Sequence, residues 1–560
     1  MRRVKCLLPL LCAVALLLAG CDTRSSVEKA DEEGVLLVGN GFEPQSFDPH
    51  KATAVADWHI IGTLLEGLVR GDAMEDDKVH PGVAESWEAN EAKDVWTFRL
   101  REDARWSDGR PVTAHDFVYA YHRLLHPLFG GKYADMLFPL KNAEAYNKDW
   151  LRKELGGEGD LWEKAGVGVE AVGERTLRLT LREPTPHLPL LLLHYTWFPV
   201  PAHAVEANGG MLDRSSEWTK PGKWVGNGAF VLAEYRFNDF VEVRRNPQYW
   251  RAGAVALNAV RFLPVVNAFT ETRMFFDGKL HVTNNVPPEM LAYAKGKAPD
   301  AFCRDAYYCS FFYRLNTTRK PLDDVRVRMA LALGVDRDAL VDKVVRDAGT
   351  PATGFTPPGA GYETPDMFKD AGATQAERVQ TARRLLAEAG FPGGKGFPTL
   401  EIMTTSREVQ KVMAEAIQAM WLENLGIHVE IRSCEWTAYK DAQQKLQYDI
   451  SSSSWSGDYL DPATFVEMWS GGSGNNATGW SNGRFDAAVR RAHSSGKVEE
   501  RLAALREAEE TMLKEAPVVP LYWAYRTYLK RPEVKGWHGL LLDAHPYDAV
   551  YVEKEGKRDD

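Results

Sequence analysis

Apolar and polar residues alternate through "VWTFRLRE" (95–102), which predicts a strand with one buried face. "TLRLTLRE" (176–183) repeats that period and stops at "PTPHLP". "FVEVRRNPQYW" (240–250) reads as a third strand, closed by Asn-Pro. In "VTAHDFVYAYHRLL" the period changes to that of a helix, with Thr113 as N-cap and Asp116 three residues on. The clearest unit spans 374–431. Thr374 and Glu377 form a capping-box pattern, and Gly390 stops the helix they begin. "LEIMT" then predicts a short strand, a helix runs from about Ser406 to Leu425 before Gly426, and "IHVEI" alternates again. Strand, helix, strand implies a crossover and a parallel pair, so the fold class is α/β or mixed.

The N-terminus breaks this pattern. "MRRVK" precedes an apolar run over 7–20 that is too short to span a bilayer and fits a signal peptide, residues 1–20. The run ends "LLAG" before Cys21, which resembles the lipobox of bacterial lipoproteins. That resemblance implies cleavage before Cys21 and acylation on it. The alternative is an ordinary secretory signal with a chance cysteine. Residues 21–34 are polar and read as a tether. Asp22 resembles the inner-membrane retention signal of such lipoproteins.

With 44% hydrophobic and 26% charged residues, the 560-residue chain has globular composition and room for several cores. Its net charge is −10, becoming −13 if Arg2, Arg3 and Lys5 leave with the signal. No basic block stands out, which argues against nucleic acid as a partner. Of six cysteines, Cys303, Cys309 and Cys434 would remain besides Cys21, allowing at most one internal disulfide. Catalytic patterns are weak. There is no His-Glu-x-x-His, "WSGGSGNN" lacks the nucleophile elbow because Asn475 replaces its last glycine, and "GFPGGKGF" lacks phosphate-loop spacing. No Cys or Cys/His spacing signals a metal site. Two carboxylates suffice for a glycosidase, and a chain with 78 acids always offers candidates. In "SSSSWSGDYLDPATF" (451–465), Asp458 stands among aromatics in a loop-like stretch, as a turn residue before Asp461-Pro462 or as an anchor for a cation.

Several stretches occur in the order seen in one family. "GVAESWEANEAKDVWTFRLREDARWSDGRPVTAHDFVYAYHRLLHP" (82–127), "QSFDPHKA", "LLEGLVRGD", "VGNGAFVL", "NPQYW", "LNTTRKPLDDVRVRMALALGVDRDAL", "SWSGDYLDPATF" and "APVVPLYWAYR" carry the resemblance. From about residue 35 onward the chain resembles family 5 bacterial extracellular solute-binding proteins, in particular the oligopeptide-binding lipoproteins of ABC importers. The resemblance implies a type II periplasmic-binding-protein fold, two lobes with a hinge plus an extra domain inserted in the first lobe. Lobe I would comprise 35–65, 202–308 and 526–560, the extra domain 66–201, and lobe II 309–525. The chain would cross the hinge near 308 and 525. The implied partners are a peptide, an ABC permease with its ATPases, and the membrane through the lipid. A monomer in the periplasm without cofactor or metal is implied too.

By the same resemblance, Asp458 holds the peptide's α-ammonium. The backbone of Ser454, Trp455 and Ser456 lies beside the ligand as an added strand, and Val55 pairs its other edge. Trp436 and Trp455 wall side-chain pockets, while Tyr133 and Tyr307 line the cleft. The chain departs from its relatives where they place basic groups for the peptide carboxylate: these positions are Val345, Gln410, Gln443 and Ser452. Arg314 stands where a relative is acidic and offers a new carboxylate contact, with Arg346 a second candidate. Ser456 replaces a cysteine that relatives bridge to the position of Cys309. A longer, modified or cell-wall peptide would fit these changes. Alternatives within the family are nickel, haem or sugar as ligand, or a tethered sensor or chaperone role.

Overall fold

The structure is a computed structural model and describes residues 24–148, 161–405 and 408–553. The signal region 1–20, Cys21 and Asp22 lie outside the described residues. Among the described residues no helix is long and apolar enough to cross a membrane.

Three large sheets organise the chain. The first has the order Val35–Gly39, Ala259–Leu263, Phe240–Arg245, Phe230–Arg236, with a parallel first pair and antiparallel neighbours after it. The second is antiparallel, in the order Ala84–Ala89, Val95–Leu100, Thr176–Thr180, Val169–Gly173. The alternation read in 95–102 and 176–183 thus builds neighbouring strands, with Phe98 and Leu177 buried on one face. One hydrophobic core runs through both sheets, joining Leu36 and Val260 to Phe98 and Leu177. Thr113 starts the helix Ala114–Leu125, and the Asp116 carboxylate accepts from the Thr113 N–H at 2.8 Å.

The third sheet has six strands: Gly349–Pro351, Val518–Leu529, Phe302–Leu315, Ile450–Ser456, Leu400–Thr405 and Val429–Cys434. Leu400–Thr405 and Val429–Cys434 pair in parallel across the helix Glu408–Leu425, which is the crossover the hydrophobic period predicts. Gly426 follows that helix at φ +71°, a left-handed turn that glycine takes without a side-chain clash. Thr374 and Glu377 close the expected capping box on Gln375–Glu388. A separate core lies under this sheet, with Ile402, Ile417, Trp421 and Ile450 fully buried.

Two long strands, Phe302–Leu315 and Val518–Leu529, run beside each other from one body to the other. At one end Leu529 and Thr527 accept backbone hydrogen bonds from Thr283 and Val286. At the other end the strands lie in the six-stranded sheet. Their ladder is interrupted between Ala306–Tyr525 and Ser310–Trp523.

One stretch differs from its reading as a tether. Residues Ser26–Glu33 form a helix, capped by reciprocal Ser25 and Glu28 hydrogen bonds. Its Val27 and Ala30 bury against Val35, Leu37 and Leu280, so the docked body begins ahead of residue 35. Polar composition hid two apolar positions spaced for one helical face. Cys303, Cys309 and Cys434 are all free thiols, and Cys309 stands directly opposite Ser456 in the ladder.

Candidate functional site

The strand Ile450–Ser456 is paired on one edge over its whole length, from Leu315 opposite Ile450 to Cys309 opposite Ser456. On the other edge Leu400–Thr405 pairs with Ile450 and Ser451 only. Tyr439 Oη donates to the Ser452 carbonyl. Among the described residues, Ser453–Ser456 have no partner strand on that edge. An extended chain could add there by backbone hydrogen bonds.

The strand ends at Gly457, whose N–H bonds the Tyr308 carbonyl at 2.8 Å. A Cβ at this position would stand 2.6 Å from the Tyr308 ring, so glycine permits the close turn. The turn delivers Asp458. Its N–H bonds Thr464 Oγ1 at 3.3 Å, while its carboxylate has no hydrogen bond or ion pair among the described residues. Part of Asp458 stays open to solvent, yet enough protein surrounds it that burial, with the nearby charge of Asp135, pushes its carboxyl up to about 7.

Three cavities meet along this segment. One of about 140 Å³ is walled by Trp58, His194 and Tyr249, and a second of about 560 Å³ by Asp135, Glu183 and Trp455. Asp458 and Tyr459 line both. A third, of about 250 Å³, lies between the helix Trp436–Gln444 and Ser452–Trp455, and shares Trp455 and Asn475 with the second. Asp458 therefore stands where space opens towards both bodies.

Of the residues singled out in the sequence, Asp458, Trp455, Ser454, Trp436 and Arg314 line these cavities. Tyr133 is close enough for the Asp458 charge to act with burial in raising its hydroxyl pKa, and its ring packs on His194 at 5.6 Å. Val55, Tyr307 and Ser456 do not line them. Val55 is 43% exposed at the start of the helix Val55–Leu64. Asp57 holds the loop before it by accepting from Gln45, Thr53 and Ala54 N–H groups. Tyr307 sits at the interrupted ladder, with the Arg526 guanidinium 5.8 Å from its ring centre. Gln410, Gln443 and Ser452 share the third cavity with Arg314, whereas Val345 is buried in a core. Arg346 is exposed and donates to the Pro288 carbonyl at 3.1 Å.

Sequence reasoning passed over Lys440, Tyr439 and Asp135. The first two recur with Trp436 and Gln443 on one face of the helix Trp436–Gln444, a spacing of three and four that was available to find them. Asp135 gave no local signal.

The second cavity is crossed by contacts between distant chain segments. His493 bonds Glu183 at 2.8 Å and Glu467 at 2.7 Å. Arg501 grips Asp461 with two nitrogens at 2.6 and 2.8 Å and reaches His187 at 3.3 Å. Among the described residues no group of three His, Cys, Asp or Glu side chains is arranged to hold a metal ion.

The chain matches the family model described as bacterial extracellular solute-binding proteins, family 5 middle, over residues 78–477. It is 34% identical over 548 residues to the periplasmic oligopeptide-binding protein OppA of Escherichia coli K12, covering 96% of each chain. Among solved structures it is similar to the unliganded open form of the periplasmic murein tripeptide-binding protein MppA, with TM-score 0.77 and 30% identity over 93% of this chain and 98% of that one. It is also similar to Haemophilus influenzae OppA in complex with RPPGFSPFR, with TM-score 0.76 and 33% identity over 94% of this chain and all of that one. The fold is the type II periplasmic-binding-protein fold.

Proposed function

Because the chain belongs to the bacterial extracellular solute-binding proteins of family 5, we propose that it captures peptides in the periplasm and delivers them to an ABC permease. One observation carries this reading: an unpaired carboxylate, Asp458, at the meeting point of two cavities and beside an open strand edge. A buried carboxylate without a counter-ion is costly, and a ligand ammonium supplies the missing charge. The ligand backbone extends along Ser454, Trp455 and Ser456 and meets Val55 from the other body. Trp455 and Trp436 wall its side chains, Tyr133 and Tyr307 line the cleft between the bodies, and Arg314 lies further along.

Capture works by population shift. A peptide touching both bodies favours the closed arrangement, because only that one contacts it from two sides. The bodies are lobe I (35–65, 202–308, 526–560) with the extra domain (66–201), and lobe II (309–525). In this reading the hinge lies in the two strands that join them, where their ladder is interrupted. The protein acts as a monomer, hydrolyses nothing and needs no cofactor. A lipid on Cys21 holds it at the inner membrane, with Asp22 as the retention signal.

Calorimetry with a free and an N-acetylated peptide of one sequence tests the anchor. Acetylation is expected to weaken binding by roughly 30-fold or more, the cost of leaving a buried charge unpaired. Equal affinities would overturn the reading of Asp458.

A further inference from the structure

Five arginines among the described residues are less than 5% exposed: Arg123, Arg314, Arg328, Arg337 and Arg501. Four have polar partners. Arg123 holds Asp48 with two nitrogens, Arg501 holds Asp461 likewise, and Arg328 and Arg337 donate to backbone carbonyls. Arg314 differs. Its Nε and Nη1 are buried without a hydrogen-bond partner, and it has no ion pair. Its guanidinium lies over the Phe312 and Trp469 rings, each centre 5.0 Å away. A ring face lowers the cost of burying a cation and leaves its N–H groups unsatisfied.

Arg314 lines the third cavity together with Lys440, Gln443, Tyr439 and Ser453, and among the described residues no carboxylate lines it. Lys440 is half-buried, and its pKa is lowered, by burial first and by the Arg314 charge second. Among the described residues Lys440 has one hydrogen bond, to the neutral Gln443 at 3.2 Å. Among the described residues the cavity thus holds two mutually repelling cations, while its other polar walls are neutral. Gln443 already spends its amide nitrogen on Tyr439, Ser451 and Ser453.

We infer that this cavity accepts a carboxylate of the bound peptide, taken up between Arg314 and Lys440. The inference rests on the peptide reading above and adds a ligand class to it: peptides with a negative group at a set distance from a free ammonium. The distance follows from the ladder. Arg314 pairs with Ser451, and Asp458 follows the strand end at Ser456. At about 3.3 Å per residue, the path from Ser451 to Ser456 is about 17 Å, and an arginine side chain spans about a third of that. The carboxylate would therefore belong to about the third to fifth residue. Either an acidic side chain or the C-terminus of a short peptide could provide it.

The test is calorimetry on the whole protein with two peptide series. In C-terminally amidated pentaalanine, residues three, four and five are replaced in turn by Glu and by Lys. In the second series, tri-, tetra- and pentaalanine are compared as free acids and as amides. One Glu position, or one free-acid length, is expected to bind about 10- to 100-fold more tightly than its neutral counterpart. Lys at the responsive position should weaken binding by tenfold or more. A response to Glu identifies a side-chain carboxylate, and a response to the free acid identifies the terminus. The variants Arg314→Gln and Lys440→Gln are expected to reduce that preference by tenfold or more. Peptides that bind without distinguishing Glu, Ala and Lys, or acid and amide, would overturn the inference and leave the peptide reading standing. If no peptide binds, the peptide reading itself fails, and this inference with it.

Discussion

Asp458 and Asp461 lie three residues apart in one loop, and their surroundings could hardly differ more. Asp461 accepts two hydrogen bonds from Arg501 and a third from the Ala463 N–H at 2.9 Å. Burial alone would raise its pKa, but His187 and Arg501 outweigh that and hold the carboxyl below its ordinary value. Asp458 has no such partner, and burial raises it to about 7. Arg501 and Arg314 repeat the contrast with the sign reversed. The paired members fasten the loop to the helix Val498–Glu515. The unpaired ones face cavities. A buried charge that the chain satisfies serves the fold, whereas one left unsatisfied at a cavity wall costs stability that only a ligand can restore.

The sharpest way to break this comparison is to remove one partner of the satisfied pair. Arg501→Met is expected to destabilise the protein by about 3–5 kcal/mol, because Asp461 is then buried alone. Asp458→Asn should leave the ligand-free protein as stable as before or more so. Denaturant unfolding of both variants measures the difference, and similar losses would erase the distinction between the two carboxylates.

A smaller effect is expected in the pH dependence of Asp458. Its carboxyl is raised in the fold, so the folded state prefers the protonated form. The stability this provides is complete below the unfolded value of 3.8 and is lost as pH rises through about 7. An ammonium ligand needs the ionised form. Peptide affinity should therefore increase with pH from 5 to 7, by up to about tenfold per unit, and level off above. Calorimetry across that range, with Asp458→Asn as the flat control, checks it.

The smallest effect concerns the contact across the second cavity. Burial would lower the His493 pKa, yet the hydrogen bonds it donates to the Glu183 and Glu467 carboxylates push it up to about 10. Its contribution is complete below 6.5 and is lost as pH rises through about 10. Glu183 is half exposed, so Glu183→Gln should cost about 1 kcal/mol or less at pH 7. The cost should fade towards pH 10 in urea unfolding. A cost that does not vary with pH would assign the contact to packing instead of charge.

Much of the architecture was legible in local patterns. Alternation marked Val95–Leu100 and Thr176–Thr180, and capping boxes marked the starts of Ala114–Leu125 and Gln375–Glu388. The parallel pair followed from strand, helix and strand in series. These features depend on neighbours within a few residues. The helix Ser26–Glu33 escaped notice because two buried positions, Val27 and Ala30, are too few to stand out against its charges. The candidate site was legible in part. Asp458, Trp455, Trp436 and Arg314 could be named by family resemblance, while Asp135 could not, because nothing in its own segment points to a loop more than three hundred residues away.

The sequence by itself determined the class of fold, several of the strands and helices that build it, and a short set of candidate side chains with Asp458 among them. Family resemblance singled out Asp458 and Arg314, but local pattern did not distinguish them from Asp461 and Arg501, since each is an ordinary charged residue in its own segment. Only the tertiary structure decided which charges are answered. The partner of Asp461 lies forty residues along the chain, and Arg314 is confined with a second cation by a helix that begins at Trp436. Electrostatic cost depends on distance through space and on the polarity of what fills it, and folding sets both.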